Sequence, residues 1–255
     1  MDVLHAFIFG VVEGITEFLP ISSTGHLVLV SHALRIPQTE FVKSFEIVIQ
    51  LGAIAAVVVL SWRSLWNVAT IKKLIVGFVP TGIIGLTVYP VVKSVLIGNT
   101  QVVLWALFIG GLALIVFERT YRAPKMVPGT IFDISYQQAA LIGLAQSVAI
   151  IPGVSRSAAT IVGGLLLGLN RRTIVEFSFL LAVPTMLAAS TLDLLKHGSS
   201  FSADQFGVIA VGFVTAFVVA AASMVFLLRY IQRHTFIAFG VYRVIVAMVF
   251  WMVIV

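Results

Sequence analysis

Long apolar segments, separated by short polar loops, fill most of this chain. A membrane-spanning α-helix needs about 20 mostly apolar residues. Six uninterrupted segments meet this requirement, at residues 44–62, 74–92, 101–118, 176–194, 206–228 and 235–255. The pattern therefore predicts six transmembrane helices.

Two further apolar regions, 3–34 and 136–169, are each interrupted near the middle by polar and helix-breaking residues. The interruptions are Pro-Ile-Ser-Ser-Thr-Gly at 20–25 and Pro-Gly-Val-Ser-Arg-Ser at 152–157. The half-helices on either side are too short to cross, so each region is predicted to be a re-entrant helix–loop–helix hairpin. Non-helical backbone at membrane depth is tolerated only beside protein or a wet cavity. Both loops are therefore predicted to be buried at a site.

Composition supports a lipid-facing exterior. The chain has 255 residues, of which 60% are hydrophobic and only 10% charged, whereas soluble domains carry about 25% charged residues. The net charge of +6 comes from dispersed basic residues and not from one run, so no nucleic-acid partner is predicted. The absence of cysteine excludes thiolate chemistry.

The basic residues predict the orientation in the membrane. With loop 63–73 in the cytoplasm, ten Lys and Arg side chains fall inside and four outside, as the positive-inside rule expects. Those inside are Arg63, Lys72, Lys73, Arg119, Arg122, Lys125, Arg171, Arg172, Arg229 and Arg233, and those outside are Arg35, Lys43, Lys93 and Lys196. The first hairpin then enters from outside and the second from the cytoplasm.

The two halves of the chain resemble each other weakly. A shift of 132 residues aligns Pro20 with Pro152, Ser23 with Ser155 and Phe45 with Phe177. Each half, 1–118 and 135–255, contains one hairpin and three spans, an odd number, so the second half must be inverted. The prediction is one all-α polytopic membrane domain of six helices and two hairpins in an inverted repeat. Such repeats place their site near the midplane.

Glu13 and Glu17 carry the first candidate chemistry. They stand four residues apart, hence on one face of a helix, and ionisable groups inside a bilayer are costly and usually functional. They are candidates for a general base, for ligands of a divalent metal, or for both. The alternative is that they cap a helix or pair with a buried arginine.

The first loop adds hydroxyls and an imidazole. Ser22, Ser23 and Thr24 are also ordinary helix N-capping residues, so alone they indicate little. His26 supplies a group that can attack phosphorus or move a proton near neutral pH. A structural core histidine is the alternative.

The second loop has the components of an anion site. Arg156 lies between Ser155 and Ser157, just before a half-helix predicted to start near Ala158. Arginine makes bidentate hydrogen bonds to phosphate oxygens, and the free N–H groups at the start of a helix favour negative charge. Alternatively, Arg156 only neutralises a glutamate.

Arg243, within the last span, is predicted to pair with an unidentified buried carboxylate.

Both loops resemble signatures of the undecaprenyl-diphosphatase (bacitracin-resistance) family. The similarity covers Glu-Gly-Ile-Thr-Glu-Phe-Leu-Pro-Ile-Ser-Ser-Thr-Gly-His at 13–26 and the 152–157 motif with Thr160 one turn on, and it extends to 177–184 and Tyr242-Arg243. The resemblance implies a bacterial plasma-membrane enzyme that hydrolyses undecaprenyl diphosphate to undecaprenyl phosphate and so recycles the cell-wall carrier lipid. It further implies a site open to the periplasm or exterior and dependence on a divalent cation, Mg²⁺ or Ca²⁺. A homodimer is compatible with it.

Together, the residues and the resemblance suggest a mechanism on a polyprenyl diphosphate lipid. Ser23 is the first candidate for the nucleophile and His26 the alternative, with Glu17 as base and Glu13 and Glu17 as metal ligands. The residues expected to bind phosphate oxygens are Arg156, Ser155, Ser157 and Thr160, with Ser22 and Thr24 as further substrate-binding hydroxyls.

Two rival functions fit parts of the pattern. A secondary transporter or flippase for the lipid phosphate would also use inverted repeats and broken helices, but would not need this set of nucleophiles. Another class of lipid phosphatases is similar to the Ser-Thr-Gly-His and Ser-Arg fragments. However, the residue six after Arg156 is Val162, and no histidine follows until His197, so that pattern fails.

The predicted orientation can be tested by labelling introduced cysteines in whole cells. A Ser199→Cys variant should react with an impermeant thiol reagent from outside, whereas an Asn67→Cys variant should react only after the membrane is permeabilised. The opposite pattern would invert the topology, including the side from which substrate enters.

Overall fold

The computed structural model describes residues 1–96, 99–122, 129–197 and 205–254, so Lys125 and Ser199 lie outside it. Regular structure in these ranges is helical throughout, without a strand. The helices are α1 (Val3–Thr16), α2 (Ser23–Ala33), α3 (Glu40–Leu60), α4 (Trp62–Leu65), α5 (Val68–Val95), α6 (Thr100–Thr120), α7 (Tyr136–Gln146), α8 (Arg156–Leu166), α9 (Arg171–His197), α10 (Phe206–Tyr230) and α11 (Ile237–Ile254).

Five of these helices are long and apolar enough to cross a membrane: α3, α5, α6, α9 and α10. They confirm an all-α, multi-pass membrane protein and correspond to five of the six predicted spans. The sixth predicted segment, 235–255, forms α11, which is apolar but shorter than the other five.

The two interrupted regions form helix–turn–helix pairs whose breaks come earlier than predicted. The first break covers residues 17–22, because the Ser22 hydroxyl caps α2 by accepting the Gly25 N–H at 3.3 Å. Ser23 is thus the first residue of α2, and its expected place in the middle of the loop is wrong. The second break ends at Ser155, which caps α8, so Arg156 rather than Ala158 begins that helix.

Small residues let the helices approach closely in both halves. A Cβ atom on Gly14 of α1 would lie 2.9 Å from the Ala216 carbonyl oxygen of α10, and one on Gly10 would lie 2.7 Å from that of Gly212. In lipid there is little hydrophobic driving force for helices to associate, so van der Waals contact between closely packed backbones contributes much of the attraction between them. α10 packs in this way against α1, and it also contacts α3.

The corresponding contact of the second hairpin is tighter still. α5 packs against α7 and α9, and a Cβ atom on Gly143 of α7 would lie 1.8 Å from the Gly77 carbonyl oxygen of α5. α6 packs mainly against α11. Each hairpin is therefore held by a long helix from the other half of the chain.

A buried ion pair joins the ends of three helices. The Glu118 carboxylate at the end of α6 accepts hydrogen bonds from both terminal nitrogens of Arg171 at the start of α9. It also accepts the Phe236 N–H at 3.2 Å, just before α11. Because the carboxylate is buried and fully engaged, it fixes these three helix ends relative to one another.

Because α5 and α7 pack so closely, one methyl group added at Gly143 should have a strong effect on stability. Gly143→Ala would force two backbones apart, and we expect it to cost about 3 kcal/mol of stability, the upper part of the range for overpacking. Gly85→Ala is the control, since nothing lies within 4 Å of a Cβ atom there. Thermal unfolding of both variants in detergent provides the measurement, and equal midpoints would contradict this packing.

Candidate active site

The two helix breaks meet in the interior of the protein. The Ser157 hydroxyl, in the first turn of α8, donates to the Leu19 carbonyl oxygen of the first break at 2.8 Å. Nearby, Arg156 Nη2 donates to Glu17 Oε1 at 2.8 Å. Residues 139 positions apart in the sequence are thereby brought into one site, as predicted for two loops that share a cavity.

Glu17 is the central group of this site. It follows the last residue of α1 and is 5% exposed. The Ser23 hydroxyl donates to its Oε2 atom, while Arg156 occupies Oε1. One carboxylate therefore connects a hydroxyl from α2 with a guanidinium from α8, an arrangement in which it can accept the hydroxyl proton.

Arg156 is held from several sides, and its Nε–H group is left unpaired by the described residues. Its Nη1 atom donates to the Ser178 carbonyl oxygen of α9 at 2.8 Å, and its Cζ atom lies 5.8 Å from the centre of the Phe18 ring. Its Nε atom is buried and has no hydrogen-bond partner among the described residues. The guanidinium is fixed in place and retains an N–H group that is unpaired within the described part of the chain.

The predicted hydroxyls near Arg156 are hydrogen-bonded within the protein, in two pairs. Ser155 Oγ lies 2.9 Å from Ser157 Oγ and accepts the Ala158 N–H at 3.1 Å. Thr160 Oγ1 lies 2.6 Å from Ser178 Oγ. Ser157 and Thr160 are fully buried, and their hydroxyls are hydrogen-bonded to other protein groups. They therefore support the start of α8, where free N–H groups favour an anion.

His26 has both ring nitrogens engaged. Its Nδ1 atom lies 2.7 Å from the Ser22 carbonyl oxygen, and its Nε2 atom lies 2.9 Å from the Tyr242 hydroxyl. The two rings stack, with centres 5.5 Å apart and planes inclined by 3°. His26 thus links the first break to α11 and is not bonded to Glu17 or Ser23.

The remaining hydroxyls of the first loop differ in environment. Ser22 is buried and uses its side chain to cap α2, with a φ angle of +74°. Thr24 is exposed, and no hydrogen bond joins its side chain to the rest of the cluster. The structure therefore separates Thr24 from the other predicted site residues.

Glu13 is the group best suited to a metal ion. It is completely buried one helical turn before Glu17, and neither carboxylate oxygen has a hydrogen-bond partner within the described residues. The described part of the chain contains no group of three or more acidic, histidine or cysteine side chains suited to a metal. Two carboxylates nevertheless fit Mg²⁺, which is commonly held by one or two carboxylates together with substrate phosphates.

Arg243 pairs with no carboxylate of the described residues, so the prediction of such a partner is wrong. The side chain is 1% exposed. Its donors reach four backbone carbonyls: Pro20 at 3.4 Å, Ala106 at 2.9 Å, Leu107 at 3.3 Å and Gly153 at 3.2 Å. Broken helices leave carbonyl oxygens without intrahelical partners, and a guanidinium with five donors can satisfy several of them.

Two residues of the site were not among the predicted ones. Ser178 anchors Arg156 through its carbonyl and Thr160 through its hydroxyl, and Tyr242 binds His26. A signal existed for the first, since Ser178 lies in the segment 177–184 that is similar to the family. Tyr242 precedes Arg243 in the similar segment of the last helix, but the sequence gives it no partner.

The fold and the site define a multi-pass membrane protein with a buried, mixed-charge centre formed by two broken helices. The family model of the bacitracin resistance protein BacA matches residues 6–249. This chain belongs to that family.

Curated relatives align over nearly the full length of the chain. It is 49% identical over 247 residues to a protein named undecaprenyl-diphosphatase from Aquifex aeolicus (strain VF5), covering 96% of each chain. A protein of the same name from Sulfurihydrogenibium sp. (strain YO3AOP1) is 48% identical, with 99% of each chain covered. Another, from Methanococcus aeolicus, is 41% identical, with 99% of this chain and 98% of the relative covered.

The position of Arg243 depends on a glycine in α6. A Cβ atom on Gly110 would lie 2.2 Å from Arg243 Nη2, so Gly110→Ala should displace the guanidinium and loosen both breaks. We expect a loss of turnover of at least about tenfold, because more than one hydrogen bond of about 1 kcal/mol is lost. Ala113→Ser, at an exposed position one turn along α6, is the control. Phosphate-release rates measure the effect, and unchanged turnover in Gly110→Ala would contradict the role given to Arg243.

Proposed function

We propose that this protein is an undecaprenyl-diphosphatase, which hydrolyses the membrane lipid undecaprenyl diphosphate to undecaprenyl phosphate and inorganic phosphate. The observation that carries the proposal is the position of Glu17, between the Ser23 hydroxyl and the Arg156 guanidinium. The names of the full-length relatives agree with it. The activity recycles the cell-wall carrier lipid and accounts for the bacitracin-resistance name of the family.

In the proposed reaction, Ser23 Oγ attacks the terminal phosphorus while Glu17 accepts the hydroxyl proton. The bond from this phosphorus to the bridging oxygen breaks, and undecaprenyl phosphate leaves. Water then hydrolyses the phosphoserine, which releases inorganic phosphate and restores the Ser23 hydroxyl. Arg156 and the free N–H groups at the start of α8 stabilise the charge on the transferred phosphoryl group.

A divalent cation, Mg²⁺ or Ca²⁺, is the proposed cofactor. Glu13, with Glu17 beside it, would hold the ion, since its buried carboxylate has no hydrogen-bond partner within the described residues. When bound, such an ion would neutralise diphosphate charge and help to orient the substrate.

The proposed architecture has six transmembrane helices and two re-entrant hairpins in an inverted repeat, with halves 1–118 and 135–255. Two features support it. The order of elements after each hairpin is alike, and the packing of α10 on α1 and α3 corresponds to that of α5 on α7 and α9. The basic side chains support a plasma-membrane orientation with the site open to the periplasm or exterior, which the cysteine-labelling experiment tests.

The function is tested with purified protein in detergent and a polyprenyl diphosphate, with inorganic phosphate as the readout. We expect release that chelator abolishes and Mg²⁺ or Ca²⁺ restores. Detergent leaves no second compartment, so release also excludes a protein that only transports the lipid. Ser23→Ala should lose at least ~10³-fold in turnover, as removal of an activated nucleophile does. Ser31→Ala, two turns further along α2, should stay near the wild-type rate.

Chemical trapping identifies the nucleophile. Acid quench during turnover of substrate labelled in its terminal phosphate should leave an acid-stable phosphoserine at Ser23. Full activity in Ser23→Ala would exclude the serine mechanism, and activity unaffected by chelator would exclude the proposed cofactor.

A further inference from the structure

The contact between His26 and Tyr242 has no role in the reaction proposed above, although it lies beside the nucleophile. His26 belongs to α2 and is 7% exposed, and Tyr242 belongs to α11 and is 42% exposed. Their rings stack with nearly parallel planes, and the tyrosine hydroxyl lies 2.9 Å from Nε2. Because this hydroxyl occupies Nε2 of a buried imidazole, that nitrogen is not free for another partner.

The hydrogen bonds determine which ring nitrogen carries the proton. A backbone carbonyl can only accept, so the 2.7 Å contact with the Ser22 carbonyl requires a proton on Nδ1. The ring contacts no carboxylate in the described part of the chain, and a buried charge without such a partner is costly. The neutral ring then has its lone pair on Nε2, where the Tyr242 hydroxyl donates to it.

The same contacts shape the turn that carries the proposed nucleophile. The Ser22 carbonyl accepts from His26 twice, through the ring Nδ1 and through the backbone N–H at 3.2 Å. Ser22 has a φ of +74°, in the left-handed region that residues other than glycine rarely adopt. Such a conformation persists only when the surrounding structure holds it. Ser23 is the next residue, and its hydroxyl points at Glu17.

We propose that Tyr242 is a positioning residue of this site. Its hydroxyl occupies Nε2 and holds neutral His26 as the Nδ1–H tautomer, and His26 holds the Ser22 turn that directs Ser23 at Glu17. His26 therefore serves the reaction through the backbone and not as the nucleophile. The catalytic part of this inference rests on the proposed function, whereas the ring geometry does not.

The test uses Tyr242→Phe, which keeps the stacked ring and removes only the hydroxyl. Reaction of purified protein with diethyl pyrocarbonate, without substrate, reports on the access to each imidazole, and mass spectrometry of peptides gives the rate for His26. We expect His26 to react at least about fivefold faster in Tyr242→Phe, the factor that corresponds to one hydrogen bond of about 1 kcal/mol. We also expect kcat to fall about fivefold with KM unchanged, because the variant misplaces Ser23 and leaves the phosphate-binding groups intact.

Tyr230→Phe is the matched control. Tyr230 also stacks on a histidine, His234, with ring centres 4.5 Å apart, but that histidine ring is bonded to the Tyr230 backbone carbonyl. Neither the rate for His234 nor kcat should change. An unchanged rate for His26 in Tyr242→Phe, or a phosphohistidine at His26 during turnover, would overturn the proposal. A raised KM with normal kcat would also overturn it, by making Tyr242 a substrate contact. The rates of histidine modification test the contact between His26 and Tyr242 even if the wild-type protein releases no phosphate.

Discussion

A buried guanidinium, with no carboxylate partner in the part of the chain that the structure describes, organises this protein. Arg243 donates to carbonyls of both helix breaks, Pro20 and Gly153, and to two carbonyls of α6. Interrupted helices inside a membrane must satisfy their exposed backbone groups, because hydrocarbon supplies no hydrogen bonds. One side chain from α11 binds one carbonyl of each break, so the two loops have a common anchor. The missing side chain of Gly110 provides the space.

With the backbone of both loops fixed, their side chains can be arranged around a single carboxylate. Glu17 receives Ser23 from α2 and Arg156 from α8, and Ser178 holds the guanidinium from the far side. Each of these groups would be costly to bury alone, and the site offsets this cost by pairing them. Glu13 is the carboxylate of this site whose two oxygens have no hydrogen-bond partner among the described residues, which is why we propose it as a ligand of the cation.

Much of this could be predicted from the sequence, for a physical reason. Membrane helices must be apolar and long, so α3, α5, α6, α9 and α10 are visible in composition alone, and charged residues such as Glu17 and Arg156 stand out against that background. The exact ends of the breaks were less accessible, because Ser22 and Ser155 could each be a loop residue or a helix cap. The partners of Arg243 could not be predicted, since backbone carbonyls have no sequence signature. Tyr242 was missed for a related reason: an aromatic residue in an apolar helix is usually a lipid contact.

The reciprocal packing of the two halves has a consequence for biosynthesis. Glu13 lies in α1 and Glu17 directly follows it. The small-residue surface that covers α1 belongs to α10, about 200 residues later in the chain. At ordinary synthesis rates of about 5–20 residues per second, that separation is on the order of tens of seconds. For most of this interval the first hairpin has neither its covering helix nor Arg156, which binds Glu17 from 139 residues further along the chain. The nascent hairpin must therefore wait beside the insertion machinery, or close to water, until the second half of the chain arrives to enclose it.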